Sequence, residues 1–490
     1  MHKQLRPIMF VGTGSDVGKS IINAAFCRIF LQDGYHPAPF KAQNMSLNSY
    51  ATPDGLEIGR AQAVQAEACG IPCSVEMNPV LLKPTSNLSS QVVLNGKAIG
   101  NQTASEYFLH SDRNILFAEA MKAYYSLAEK YNPIVIEGAG SISEINLRSR
   151  DITNMRVALQ TNAATYLIAD IDRGGVFGSV YGTILLLEPE ERALIKGIII
   201  NKFRGDVTLF TEGKKMLEQL IGIPVVSIIP YYRDIFIDDE DSVVLDKKHA
   251  VHSTSKINIV VVLLKHMSNF TDFNVLERYP DIHLFYSSEQ EDILNADIVI
   301  IPGSKNTVSD MQYLRKSGLA KAIITAHEQG KSVYGICGGY QMMGTEINDP
   351  LHIESDIESI AGLGILPVIT KLTNEKITEQ CLFYFQESGQ ECKGYEIHMG
   401  QTTAKHPSPL CFIKGKDADG YMLNAKTWGS YIHGIFDNPS VISNIIETIG
   451  MKTNHEYDHD TFKEEQYSKL AGLIRAHSDM DYIYKTITME

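Results

Sequence analysis

Two layered α/β domains, each built on a mostly parallel sheet, are predicted by three features of this 490-residue sequence. Short, β-branched apolar runs alternate with segments long enough to be helices. The runs are continuous rather than alternating, which suits parallel strands buried on both faces, with helices as the crossovers. The pattern is interrupted by a polar, charged stretch over residues 231–255, and a second series of the same kind begins after it.

The elements follow in order. Strands are expected at 8–11, 133–136, 165–169, 197–201 and 225–229 in the first series. In the second they are expected at 257–264, 298–301, 332–336 and 428–432. Residues 462–476 have the spacing of an amphipathic helix. The expected division is 1–250, 251–450 and a helical extension over 451–490. No fixed-period repeat or low-complexity tract complicates it.

Composition limits the function classes. Hydrophobic residues at 44% and charged residues at 21% describe a globular chain. A net charge of −14, with no basic stripe, argues against a nucleic-acid partner, though not against a local cationic pocket. The seven cysteines are scattered and odd in number, and Cys69 and Cys73 lack a second pair for zinc. With no signal peptide and no apolar run of membrane-spanning length, the expectation is a cytoplasmic protein without a membrane partner.

The first chemical motif is Gly12-Thr13-Gly14-Ser15-Asp16-Val17-Gly18-Lys19-Ser20, between the first strand and the first helix. A loop in that position aims backbone N–H groups and a helix N-terminus at a phosphate. Lys19 would sit near the β- and γ-phosphates, and Ser20 would hold Mg²⁺. Glu137 ends a strand before Gly138 and is a candidate Mg²⁺ ligand. Lys41 would neutralise the γ-phosphate, Glu57 is a second candidate metal ligand, and Asn201, with Lys202, would contact the adenine. Five residues rather than four separate Gly12 from Gly18. The lengthened loop resembles that of dethiobiotin synthetase and its relatives, which use ATP to activate a carboxylate.

The second motif is Gly335-Ile336-Cys337-Gly338-Gly339-Tyr340-Gln341, a strand-to-helix elbow that would expose the Cys337 thiol at a helix N-terminus. The Gly338 N–H and a second strand-end turn at Gly303 would receive an oxyanion. His433, after the strand at 428–432, is the candidate base. This constellation resembles the class I glutamine amidotransferases, in which Gln341 would contact the substrate. Most of that class carries a Glu two residues after the His, where this chain has Ile435; Glu396 in GYEIHMG is the substitute expected from the sequence.

The whole chain resembles the cobyric acid synthase family. The resemblance rests on FKAQNMSLNS, EIGRAQAVQAEA, MNPVLLKPTS, EGAGSISEINLRSRDITNM, DIDRGGVFGS, INKFRGD, GICGGYQMMG and YIHGIFDN. It implies an N-terminal P-loop domain fused to a class I glutamine amidotransferase domain. It further implies ATP and Mg²⁺, with glutamine and (adenosyl)cobyrinic acid a,c-diamide as substrates. Side chains b, d, e and g would be amidated through acyl phosphates. Arg148, Asp151, Asp172 and Arg173 are expected to face the corrinoid and the acyl phosphate. A partitioning-type ATPase switch and the related a,c-diamide synthase are the rival readings, and a homo-oligomer is left open.

Overall fold

The computed structural model describes residues 3–85, 89–103, 113–238, 253, 255–386, 389–416, 418–450 and 458–489. The expected boundary at residue 250, and residues 451–457 at the head of the expected extension, lie outside the described residues.

The first sheet has six strands, all parallel, in the order Val225–Pro230, Ile195–Phe203, Ala164–Asp170, Ile8–Gly12, Ile134–Glu137, Ala38–Phe40. Alternate residues of each strand feed different cores, because successive side chains point to opposite faces. Met9 and Val11 join one core with Ile134, Ile136 and Leu167. Ile8 and Phe10 join the other with Phe26 and Ile29 of the helix Lys19–Gln32. That second core is completed by the far end of the chain. Tyr467, Leu470 and Ile474 of the helix His459–Ala476 pack into it, and Arg28 pairs with Glu464 at 2.9 Å.

The second sheet runs Ile282–Ser287, Ile257–Val262, Ile298–Ile301, Ser332–Ile336, Thr427–Ser430, Tyr421–Asn424, parallel except for the last pair. Tyr334 and Trp428 stack on adjacent strands, with ring centroids 4.3 Å apart. The strand expected over 428–432 divides. Thr427–Ser430 stays in the parallel sheet, while Ile432–His433 crosses to a third sheet and pairs with Tyr395 and Glu396. That third sheet is dominated by a long antiparallel ribbon, Val368–Phe385 against Glu391–Ala404.

A short hairpin from the first half, Ser49–Ala51 with Glu57–Gly59, reaches this ribbon. The Gln380 side-chain amide donates to Ala51 O at 2.9 Å, the Ser49 N–H donates to Asn269 Oδ1 at 3.0 Å, and the Phe270 N–H donates to Asn48 Oδ1 at 3.2 Å. The two halves therefore meet at the hairpin. Among the described residues no helix is long and apolar enough to cross a membrane.

Candidate active sites

At the carboxyl edge of the first sheet, the loop from Gly12 wraps around Lys19. The Lys19 ammonium donates to Gly14 O and Gly140 O, each at 2.9 Å, which ties the loop to the turn after the strand Ile134–Glu137. Gly18 has φ +98°, and a Cβ there would lie 2.2 Å from Asn201 Nδ2, so only glycine suits the position. The Ser20 hydroxyl donates to Glu137 Oε1 at 2.9 Å; Lys41 pairs with the same oxygen at 2.8 Å, and Gln65 donates to Oε2 at 2.6 Å. Lys19, Ser20, Lys41 and Glu137 line a cavity of about 600 Å³ together with Ser15, Asp16 and Tyr231. Ser20 and Glu137 form an all-oxygen donor pair of the kind Mg²⁺ accepts when phosphate and water fill its remaining positions. Among the described residues no cluster of three or more His, Cys, Asp or Glu is placed to hold a metal by itself.

Other expected residues fall elsewhere. Glu57 is not at the phosphate cavity. It is buried between Lys83, at 2.6 Å, and Lys376 of the antiparallel ribbon. Burial alone would raise its pKa, but the two ammonium groups hold it well below the usual carboxylate range. That pairing sets it apart from Ser20 and Glu137, the expected metal ligands at the cavity. Arg148 pairs with Glu188 at 2.6 Å, outside the cavity. Asp151 accepts the N–H groups of Thr153 at 2.8 Å and Asn154 at 3.1 Å. Asn154 in turn binds both the N–H and the carbonyl of Ala139, so Asp151 supports the turn after Glu137. Asp172 pairs with Arg204, whereas Arg173 lines the cavity and approaches Asp16 at 3.4 Å. Asn201 lines the cavity from beneath the loop, its amide donating to Val17 O at 2.8 Å.

The second site is the elbow. Cys337 has φ 49° and ψ −109°, a strained backbone for a residue with a side chain, held between the strand Ser332–Ile336 and the helix Gly338–Met343. A Cβ on Gly339 would lie 1.9 Å from Ile301 O, and one on Gly338 would lie 2.7 Å from the Ser304 N. The turn at Gly303 therefore abuts the elbow, and a Cβ at Gly303 would lie 3.4 Å from the His433 ring. Gln341 is buried, accepting from the Thr307 hydroxyl at 3.1 Å and donating to the Tyr431 OH at 3.2 Å.

His433 is buried against Cys337, and its Nδ1 lies 2.6 Å from Asp272 Oδ2. Burial opposes the imidazolium charge, but Asp272 and Cys337 outweigh it and raise the pKa to about 10. Asp272 also accepts the Gly434 N–H at 3.2 Å. Sequence reasoning missed this residue. It lies in SNFTDFN, within the turn-rich segment Phe270–Arg278, and nothing in its neighbours marks it. The expected substitute, Glu396, points away. Tyr395 is the register partner of His433 and stacks on it at 5.3 Å, so the next residue projects to the opposite face. There Glu396 meets His398 at 3.5 Å.

Residues 8–242 match the CobQ/CobB/MinD/ParA nucleotide binding domain, and residues 258–441 match the CobB/CobQ-like glutamine amidotransferase domain. Over its full length the chain is similar to cobyric acid synthases. That of Parabacteroides distasonis is 60% identical over 494 residues, spanning 99% of this chain and 100% of the relative. Those of Bacteroides fragilis and Phocaeicola vulgatus are 58% and 56% identical, each spanning 100% of this chain and 99% of the relative.

Proposed function

The chain belongs to the cobyric acid synthase family, and from that premise we propose that it amidates peripheral carboxylates of a corrinoid in cobalamin biosynthesis, using ATP and ammonia drawn from glutamine. The acceptor is (adenosyl)cobyrinic acid a,c-diamide, amidated on side chains b, d, e and g. The observation that carries this reading is the pairing, in one chain, of a Cys337–His433–Asp272 site with a phosphate loop backed by Glu137.

The glutaminase half begins with His433 holding a proton, which favours a thiolate on Cys337. The sulfur attacks the amide carbon, and the Gly338 N–H receives the developing oxyanion. His433 gives its proton to the departing ammonia as the C–N bond breaks and a thioester remains. Water then attacks the thioester, His433 takes its proton, and glutamate leaves. Asp272 keeps the imidazole in one orientation throughout.

In the synthetase half a substrate carboxylate oxygen attacks the γ-phosphorus of ATP, and ADP departs. Ammonia then attacks the acyl carbon and phosphate leaves. Hydroxide is a poor leaving group, and phosphorylation replaces it with a good one. Lys19 and the loop N–H groups hold the phosphates, and Ser20 with Glu137 would hold Mg²⁺. When bound, that ion supplies positive charge to the β- and γ-phosphate oxygens.

The test is mass spectrometry of products formed from the a,c-diamide with ATP, Mg²⁺ and glutamine. Cys337→Ala should abolish glutamine-dependent amidation and retain amidation with ammonium. Lys19→Ala should suppress both. An unchanged glutamine-dependent rate in Cys337→Ala would sink the assignment.

A further inference from the structure

A glutaminase must hold the end of glutamine that does not react. That end is a zwitterion, an ammonium and a carboxylate on one carbon, and it distinguishes glutamine from other primary amides. The cavity that contains Cys337 and His433 also contains Lys83, Lys305, Lys376 and Glu354. Three ammonium groups and two carboxylates meet here, counting Glu57 behind the wall. Glu57 takes Lys83 and Lys376. Lys305 and Glu354 remain; each feels the other's charge, but among the described residues no hydrogen bond or ion pair joins them.

Lys305 follows the turn at Gly303, and its backbone N–H is fixed to His266 O at 2.9 Å. Among the described residues its ammonium has no hydrogen-bond or ion-pair partner, although it is enclosed with other cations. Burial and the neighbouring Lys376 and Lys83 push its pKa down to about 7 against the opposing pull of Glu354 and Glu57, so an arriving anion would favour its charged form. Glu354 is held rigidly. Asp349 accepts the N–H groups of Ile353, Glu354 and Ser355 at 2.7, 2.9 and 3.1 Å. Glu354 Oε2 accepts the Thr307 N–H at 2.6 Å, while Oε1 has no hydrogen-bond partner among the described residues.

We propose that Lys305 and Glu354 form the recognition site for the α-carbon end of glutamine, with the Lys305 ammonium receiving the α-carboxylate and Glu354 Oε1 receiving the α-ammonium. The inference rests on the glutaminase reading and extends it to substrate selection. A zwitterion inserted between the two groups completes both of their unmet interactions and leaves the amide free to reach Cys337. Lys83 and Ser49, from the first half of the chain, close the same cavity, so both halves shape the glutamine site.

The experiment compares three amides in the full-length enzyme with ATP and acceptor present, reading kcat/KM for ammonia release. They are L-glutamine, 4-aminobutanamide, which lacks the carboxylate, and 4-carbamoylbutanoate, which lacks the ammonium. Wild type should prefer glutamine over each truncated amide by about 100-fold. Lys305→Met should lose a similar factor on glutamine and turn over 4-aminobutanamide as wild type does. Glu354→Gln should show the mirror pattern with 4-carbamoylbutanoate. Because amides are compared within one variant, a general loss of folded enzyme cannot imitate this, and Lys305→Gln provides the same comparison should Lys305→Met not fold. Equal losses on all three amides, or an unchanged KM for glutamine, would overturn the proposal while leaving Cys337 in its role. Wild-type enzyme that releases no ammonia from glutamine would overturn the glutaminase reading together with it.

Discussion

At His433 a buried imidazole meets a carboxylate on one side and a thiol on the other, and its protonation follows from that placement. With the pKa raised to about 10, the ring is charged at neutral pH. Its folded value lies above the ordinary 6.5, so its charge contributes stability that is complete below pH 6.5 and lost as pH rises through about 10. Asp272→Asn removes the principal favourable charge. The basic limb of glutamine hydrolysis should then move to lower pH by a unit or more, and the rate at neutral pH should fall by about 100-fold or more. A pH–rate profile of both enzymes checks this; an unmoved limb would show that Asp272 does not set the proton affinity. Glu396→Gln should leave the limb where it is, since that carboxylate lies on the other face of the ribbon. Cys337 and His433 were legible because each ends a recognisable strand. Asp272 was not, because its meeting with His433 is made 161 residues away by tertiary packing alone.

The elbow is an element whose geometry depends on missing side chains. Gly339 brings the helix Gly338–Met343 against the carbonyl of Ile301, where a methyl group would overlap it at 1.9 Å. Gly339→Ala must push the strand Ile298–Ile301 away or rotate Cys337 out of line. Overpacking of this kind costs about 1–3 kcal/mol, and glutamine-dependent activity should be lost well before the fold is. Thermal unfolding alongside ammonium-dependent and glutamine-dependent rates separates the two effects; retention of the glutamine rate would show that the elbow tolerates a side chain. Elements of this type were readable, since apolar strands such as Ile298–Ile301 and Ser332–Ile336 have the bounds their composition predicts. The ribbon Val368–Phe385 with Glu391–Ala404 was not. Its residues alternate between buried and exposed and carry Lys, Glu and Thr, so no continuous apolar run announces them. The strand at Trp428 was read one element too long, because Ser430 and Tyr431, both tied to Asp419, end the parallel pairing before His433.

Across the molecule, the hairpin carrying Glu57 joins the two chemistries. Asp272, 2.6 Å from His433, orients the base within the glutaminase half itself, so coupling between the halves has to act through their contact. Glu57 is the charge at that contact, bridging Lys83 of the first half and Lys376 of the second. Removing it leaves two buried ammonium groups without their anion, a change that costs about 3–5 kcal/mol in comparable buried pairs. The folded pKa of Glu57 is depressed, so its contribution is present above the ordinary 4.5 and lost only as pH falls through the lower folded value. Glu57→Gln should therefore lower the unfolding midpoint by a constant amount between pH 8 and pH 6. It should also weaken the dependence of glutamine hydrolysis on ATP and acceptor, because the hairpin that closes the Cys337 cavity loses its anchor on the ribbon. Denaturation across that pH range, with glutamate release measured with and without ATP and the a,c-diamide, checks both effects. A midpoint equal to wild type would mean that Gln380 and Asn269 hold the halves together without Glu57. A wild-type enzyme that hydrolyses glutamine at full rate without its other substrates would mean that the contact carries no signal between the sites.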